Sequence, residues 1–264
     1  MKVDEIQHDV TTKELIDVDD NQQLGPHSVV LNNIFRNKSQ AVKSLEPGEY
    51  INDTAIFYVM KSLDMNHPSV EFKSIDTYVH GQLLIGTKDE RVEKLRKIFR
   101  NLFRDNVRKR SGQCPDILFP INPDGQHWSL LVLHVEQREI MHYCSLGCPL
   151  KSYTSTYSMM KTVSKVLDEF LEFEKGEKWQ IFDNINAPRQ QDGYNCGIYV
   201  CMMAKQLYFH QELLITTKIA NEFRSVLQSK FKAGMSSGLL NFHEQCWGQM
   251  PSDNSKCLKF FHYH

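Results

Sequence analysis

An α+β fold, with one sheet packed on a buried central helix, is what this chain of 264 residues predicts from three features. Three apolar segments, "DILFPI", "WSLLVLHV" and "REIMHYC", follow one another between residues 116 and 144, each bounded by turn-forming residues as strands are. Amphipathic segments with apolar residues three and four apart lie on both sides of them. Finally "NCGIYVCMMAKQLYF", residues 195–209, is apolar on nearly every face, a pattern that belongs to a helix in the middle of a fold.

The elements are justified in chain order. Residues 1–27 are polar and acid-rich ("DVDDNQQLG") and read as an N-terminal tail; one domain is expected over residues 28–241, and order begins near "HSVVLNNIF". "LEPGEYINDTAIFYVMKSL" reads as a turn at Pro47-Gly48 and then a helix capped by Asn52 or Asp53, with Ile56, Phe57, Met60 and Leu63 inward. Residues 91–107 form an amphipathic helix on Val92, Leu95, Phe99, Leu102, Phe103 and Val107; its basic face reads as solvated surface rather than a partner contact. The three strands follow, the second and third joined by a turn at Glu136-Gln137, and the unbroken apolar run of "WSLLVLHV" implies a sheet covered on both faces. "MMKTVSKVLDEFLEFEK" is a further amphipathic helix, "KWQIF" a short strand, and "KIANEFRSVLQSKF" the last core helix. Residues 242–264 are a Cys/His-containing tail in which His243, Cys246, Cys257, His262 and His264 loosely resemble zinc-ligand spacing; they match no standard pattern, and a surface tail without metal is the preferred reading.

Composition narrows the function. A formal net charge of −1, with 31 Lys+Arg against 32 Asp+Glu, gives no general reason to expect nucleic acid or an anionic membrane as partner. No apolar run has the length to span a bilayer, and "MKVDEIQHDV" carries no signal-peptide core, so an intracellular place in nucleus or cytoplasm is expected. Seven scattered cysteines are an odd number without a framework pattern, and read as free thiols in a reducing compartment.

Cys196 is set apart by its place at the start of the apolar helix. A thiol there meets the positive end of the helix dipole and free backbone N–H groups, both of which favour the thiolate. Gly193 is expected to allow a sharp turn that leaves the sulfur exposed at the helix tip. A cysteine nucleophile needs a base, and His127 in "NPDGQHWSLLVL" begins a buried strand directly after a Pro/Gly loop; His134 and His142, within strands, read as structural.

In this order and spacing, "LEPGEYINDTAIFYV", "DGQHWSLLVL", "HYCSLG" and "APRQQDGYNCGIYVC" resemble the landmarks of the Ulp/SENP family of ubiquitin-like-protein proteases, over about residues 28–240. The resemblance implies a papain-like cysteine protease fold with Cys196 as nucleophile, His127 as general base and Gln190 as side-chain donor of the oxyanion hole, Gln191 being plain loop. It makes Trp128 and Tyr50 the walls of a tunnel for a Gly-Gly tail, Tyr50 standing where the family has tryptophan, and Asp53 an acidic substrate contact. Two positions depart from the pattern. Asn195 replaces the family's Asp before the nucleophile, and Cys144 occupies the third triad position, normally the Asp that receives the histidine's other N–H. A thiol accepts hydrogen bonds weakly and is mostly neutral near pH 7. The resemblance therefore implies a cofactor-free thiol isopeptidase, monomeric, acting on a ubiquitin-like modifier, SUMO first and a neddylation-type modifier second. The competing expectations are a pseudoenzyme that binds the modifier without cutting it and an acyltransferase with a similar His/acid/Cys layout.

Overall fold

The computed structural model describes residues 38–66, 71–103, 114–171 and 178–232. Both expected tails, including the Cys/His cluster, and the domain limits at 28 and 241 lie outside the described residues. In chain order the elements are α1 (Lys38–Ser44), α2 (Asp53–Asn66), β1 (Phe72–Ser74), α3 (Tyr78–Leu84), α4 (Lys88–Leu102), β2 (Asp116–Ile121), β3 (Ser129–His134), β4 (Glu139–Tyr143), a 3-10 turn (Leu150–Ser152), α5 (Thr154–Leu171), β5 (Gln180–Asp183), α6 (Cys196–Tyr208) and α7 (Thr217–Lys232).

The five strands form one mixed sheet in sequential order, parallel at its two outer pairs and antiparallel between β2, β3 and β4. β3 is the middle strand, and from Ser129 to Leu133 every residue is buried, so both faces are covered as the unbroken apolar run requires. On one face Ile117, Phe119, Leu131, Leu133 and Ile140 meet Val79 and Leu83 of α3, Leu95 and Phe99 of α4, and Met160, Val163 and Leu167 of α5. On the other, α6 packs against β3 and α2. Nearly all of α6 is buried, and Tyr199 is among the largest side chains with no exposure.

Local chemistry sets the boundaries. Asn52, not Asp53, caps α2: its Oδ1 accepts the Ala55 N–H at 3.0 Å, while Asp53 Oδ1 takes the N–H and hydroxyl of its neighbour Thr54. Because α2 is gripped from more than one side, Ala55, Tyr58 and Val59 are buried along with Ile56, Met60 and Leu63, and Phe57 is only half-buried. α4 starts at Lys88 rather than 91, since Thr87 and Glu90 form a reciprocal capping box. The elements not foreseen are the short ones, α1, β1 and α3.

Candidate active site

The nucleophile candidate, the base candidate and the third position come from three separate segments. Cys196 is the first residue of α6, His127 ends the loop before β3, and Cys144 follows β4, the strand paired with β3. The pairing brings Cys144 Sγ to 3.2 Å from His127 Nε2. On the other side of that histidine's backbone, the Trp128 N–H points at Cys196 Sγ, 3.4 Å away. His127 Nδ1 is buried and has no hydrogen-bond partner among the described residues. The imidazole is thus fixed at one nitrogen by sulfur and unpartnered at the other.

His127 is itself held by Asp124, whose Oδ1 accepts the backbone N–H groups of Gln126 (3.0 Å) and His127 (2.9 Å). Asp124 grips the backbone, so the ring's hydrogen-bonded partner is Cys144. Cys144 Sγ in turn sits in a cradle of backbone N–H groups from Cys148, at 3.2 Å, Leu146 and Gly147. Those donors suit an anion at residue 144. The loop is closed by a Gly147 N–H to Cys144 carbonyl bond and by Arg189, whose guanidinium donates to the same carbonyl.

Cys196 departs from expectation in one respect. It is 2% exposed, not presented at an open helix tip. Gly193 is not in the left-handed region, and a Cβ there would meet nothing within 4 Å, so the turn does not depend on glycine. The glycine that matters is Gly197: a Cβ on it would overlap Ile51 Cγ2 and lie 2.9 Å from Ile56 Cδ1 and 3.2 Å from Trp128 Cδ1. Its absence lets the start of α6 close onto α2 and the indole, and that closure buries the sulfur. Burial pushes the Cys196 thiol above its usual value, against the N–H groups of Trp128 and Gly197 that pull it down. Burial likewise lowers His127, Asp124 opposing and His142 adding to the effect. Desolvation outweighs the helix terminus, moving the thiol up and the imidazole down.

Gln190 lies beside Cys144 rather than on a free loop. Its backbone N–H donates to the Ser145 carbonyl (3.1 Å), its Oε1 accepts the Ser145 hydroxyl (2.6 Å), and its Nε2 donates to the Asp192 carbonyl (2.7 Å). One amide N–H remains to be directed elsewhere. Ser145 was not singled out in the sequence, although it directly follows Cys144 in "HYCSLG". Gln191 is exposed.

Tyr50, Asp53 and Trp128 do come together. They line a cleft of about 580 Å³ together with Ile51, Thr77, Tyr78 and His80. Tyr50 is 57% exposed and Trp128 only 7%, its indole N–H anchored to the Ile51 carbonyl at 3.1 Å. Trp128 is therefore the shared part: its ring walls the cleft while its backbone N–H touches the sulfur.

His142 is fully enclosed, its Nδ1 2.8 Å from Asp183 Oδ1 and its Nε2 3.0 Å from the Ser129 hydroxyl. This Ser-His-Asp arrangement ties β3, β4 and β5 together, and Ser129 has no exposure to any substrate. Among the described residues no group of three His, Cys, Asp or Glu is placed to hold a metal ion, and no helix is long and apolar enough to cross a membrane.

Residues 49–236 match the Ulp1 protease family, C-terminal catalytic domain. The chain belongs to that family. It is 26% identical over 168 residues to ubiquitin-like-specific protease 1 of Saccharomyces cerevisiae, covering 61% of this chain and 24% of the relative. It is 34% identical over 92 residues to human sentrin-specific protease 8, covering 33% of this chain and 39% of the relative. The chain thus spans well under half the length of these Ulp1-type relatives. The X-ray structure of the C-terminal Ulp1 protease domain, in complex with Smt3, the yeast ortholog of SUMO, shares the fold at a TM-score of 0.55 and 20% identity, covering 78% of this chain and 94% of that one. The α+β, papain-like architecture read from the sequence is the one present.

Proposed function

We propose that this chain is a thiol protease that cleaves after the C-terminal Gly-Gly of a ubiquitin-like modifier, most readily SUMO, in precursor processing and in deconjugation. What supports the reading is Trp128: its N–H meets Cys196 Sγ, the residue before it is His127, whose ring meets Cys144, and it lines a cleft with Tyr50. A side-chain-free Gly-Gly tail suits an approach along the Trp128 indole to a sulfur that is only 2% exposed.

In this reading the tail lies along Trp128, and His127 takes the Cys196 proton as the sulfur attacks the terminal glycine carbonyl. Negative charge on the carbonyl oxygen meets the Cys196 backbone N–H and the free N–H of Gln190, whose amide Ser145 holds in place. The C–N bond breaks as His127 protonates the leaving amine, giving a thioester; water, deprotonated by His127, then releases the modifier. Asp53, exposed beside the cleft, offers a carboxylate to a basic residue of the modifier. No cofactor takes part. The enzyme acts as a monomer, on protein rather than nucleic acid, within the nucleus or cytoplasm.

Burial, which moves the Cys196 thiol up and the His127 imidazole down, favours a second reading, a binder of the modifier with weak or no turnover. A panel of SUMO, neddylation-type modifier and ubiquitin, each carrying a C-terminal electrophilic trap, separates the two. The hydrolase reading expects Cys196 to be labelled, fastest by SUMO, and Cys196→Ala to bind without labelling. Binding without labelling in the wild type favours the second reading, and labelling at another cysteine removes Cys196 as nucleophile.

A further inference from the structure

Arg224 on α7 is 2% exposed, and every acceptor it reaches among the described residues is an uncharged oxygen. Its Nε donates to Asn195 Oδ1 (3.0 Å), Nη1 to the carbonyls of Ser44 (3.0 Å) and Glu46 (3.3 Å), and Nη2 to the Tyr194 carbonyl (3.2 Å). The guanidinium carbon stands 5.3 Å from the centre of the Tyr194 ring. Four such bonds fix its geometry but leave its charge without a bonded anion, an arrangement that is costly in a buried site.

The carboxylate that acts on it is Asp192, and Asn195 stands between them. Asn195 accepts from Arg224 at Oδ1 and donates from Nδ2 to Asp192 Oδ2 (2.9 Å) and to Asn221 Oδ1 (2.9 Å). Asp192 Oδ1 is engaged by the N–H groups of Tyr194 (3.1 Å) and Asn195 (2.8 Å). The next residue in the chain is Cys196. A cation is therefore locked under the first turn of α6, held one amide away from the carboxylate that would otherwise neutralise it. An aspartate at 195, as the family pattern has, would place that neutralising charge directly on the guanidinium.

We propose that Arg224 is a positioning residue for Cys196 whose buried charge, held one amide away from Asp192 by Asn195, stabilises the thiolate. The proposal rests on Cys196 being the nucleophile. The charged group that acts on the sulfur is Arg224 from α7; those that act on Arg224 are Tyr194, Asp192, Cys196 and Cys201. Cys201 is fully buried with its thiol pushed well up, and so stays neutral beside the cation. Arg224 is thus the fixed positive charge that the sulfur senses, and it pulls against the burial that raises the thiol.

The test is the rate of iodoacetamide alkylation of Cys196 against pH, read by mass spectrometry of its peptide, in full-length wild type, Arg224→Lys and Arg224→Gln. Thermal melts define the folded range of each. Removing the charge moves the half-rise upward by about half a unit or more, so alkylation at pH 7 falls about threefold or more; Arg224→Lys, which keeps the charge and loses the fork, stays near wild type. Asn195→Asp keeps an acceptor for Nε while compensating the charge, and gives the upward shift even if Arg224→Gln does not fold. Equal shifts for Lys and Gln, or no shift with either Gln or Asn195→Asp, overturn the proposal and leave Arg224 a structural tie. Wild-type Cys196 that is not alkylated at any pH overturns the hydrolase reading and this inference together, whereas a reactive Cys196 indifferent to residue 224 overturns the inference alone.

Discussion

Cys144→Asp is expected to raise kcat toward Gly-Gly substrates by about tenfold or more. The sulfur lies 3.2 Å from His127 Nε2 and is 4% exposed, so a carboxylate oxygen there reaches the ring N–H without moving the strand. The N–H groups of Leu146, Gly147 and Cys148 already converge on this position and would offset much of the cost of burying the charge. A unit charge about 4 Å from an imidazolium, at an effective dielectric of ~20, is worth ~4 kcal/mol. If roughly a third of that survives desolvation as extra stabilisation of the charged pair, the barrier falls by ~1.4 kcal/mol, which is one factor of ten. The sign of the pH effect follows. In the wild type the thiol is raised and the imidazole lowered, so thiolate accumulates only as pH climbs toward the thiol's elevated pKa. The carboxylate raises His127, the imidazolium lowers Cys196, and the alkylation profile moves to lower pH. The assay is single-turnover cleavage of a modifier with a C-terminal fluorogenic amide, beside the alkylation profile. Unchanged kcat and unchanged profile in a folded variant would refute the reasoning and remove residue 144 from the catalytic set; activity appearing only in the variant would identify the natural protein as a binder.

Ser145→Ala, which removes the bond to Gln190 Oε1 and leaves only that from Nε2 to Asp192, lowers kcat with little change in KM, in the same direction as Gln190→Ala but by less than the ~2.7–4 kcal/mol of a lost oxyanion donor; a change confined to KM would make Gln190 a ground-state contact. Gly197→Ala overlaps Ile51 and is expected to cost about 1–3 kcal/mol, read as a lower Tm or denaturation midpoint; an unchanged midpoint would show that α6 can shift freely. Trp128→Ala abolishes cleavage of Gly-Gly substrates while Tyr50→Trp preserves or improves it, and silence of both in kcat/KM contradicts the tunnel. His80 is enclosed, bonded to Thr156, and held by burial down to about 4 from 6.5. Its contribution to stability is complete above pH 6.5 and is lost as pH falls toward 4, on the order of 3 kcal/mol at ~1.4 kcal/mol per unit; denaturation midpoints that do not fall across that window, or that fall equally in His80→Gln, would contradict this.

The middle strands and the α6 helix were legible because their apolar runs are nearly unbroken, with Asn122-Pro123 closing β2 and Gly193 and Asn195 preceding α6. β1 and α3 were not, since three and seven residues are too few to display a period. The start of α4 was in fact written in the chain as Thr87 and Glu90, a capping pair that the apolar periodicity alone does not reveal. At the site, residue type and position singled out Cys196 and His127, and the family resemblance supplied Cys144, Gln190 and Trp128. The burial of Cys196 was not legible, because it depends on Ile51 and Trp128 closing over Gly197, residues far apart in the chain. Arg224 and Ser145 escaped for the same reason: each acts through a residue that only the fold places beside it.

The Trp128 junction also bears on when the site comes into being. Its indole bond to Ile51 spans 77 residues of chain, and its amide contact with Cys196 spans 68, so the site exists only after two long loops have closed. The Cys144–His127 contact, 17 residues apart across adjacent strands, can form much sooner. Half-folded molecules therefore carry an oriented histidine but no seated nucleophile. Reactivity at Cys196 reports completion of the native topology, and during refolding the gain of selective labelling should trail the burial of the sheet.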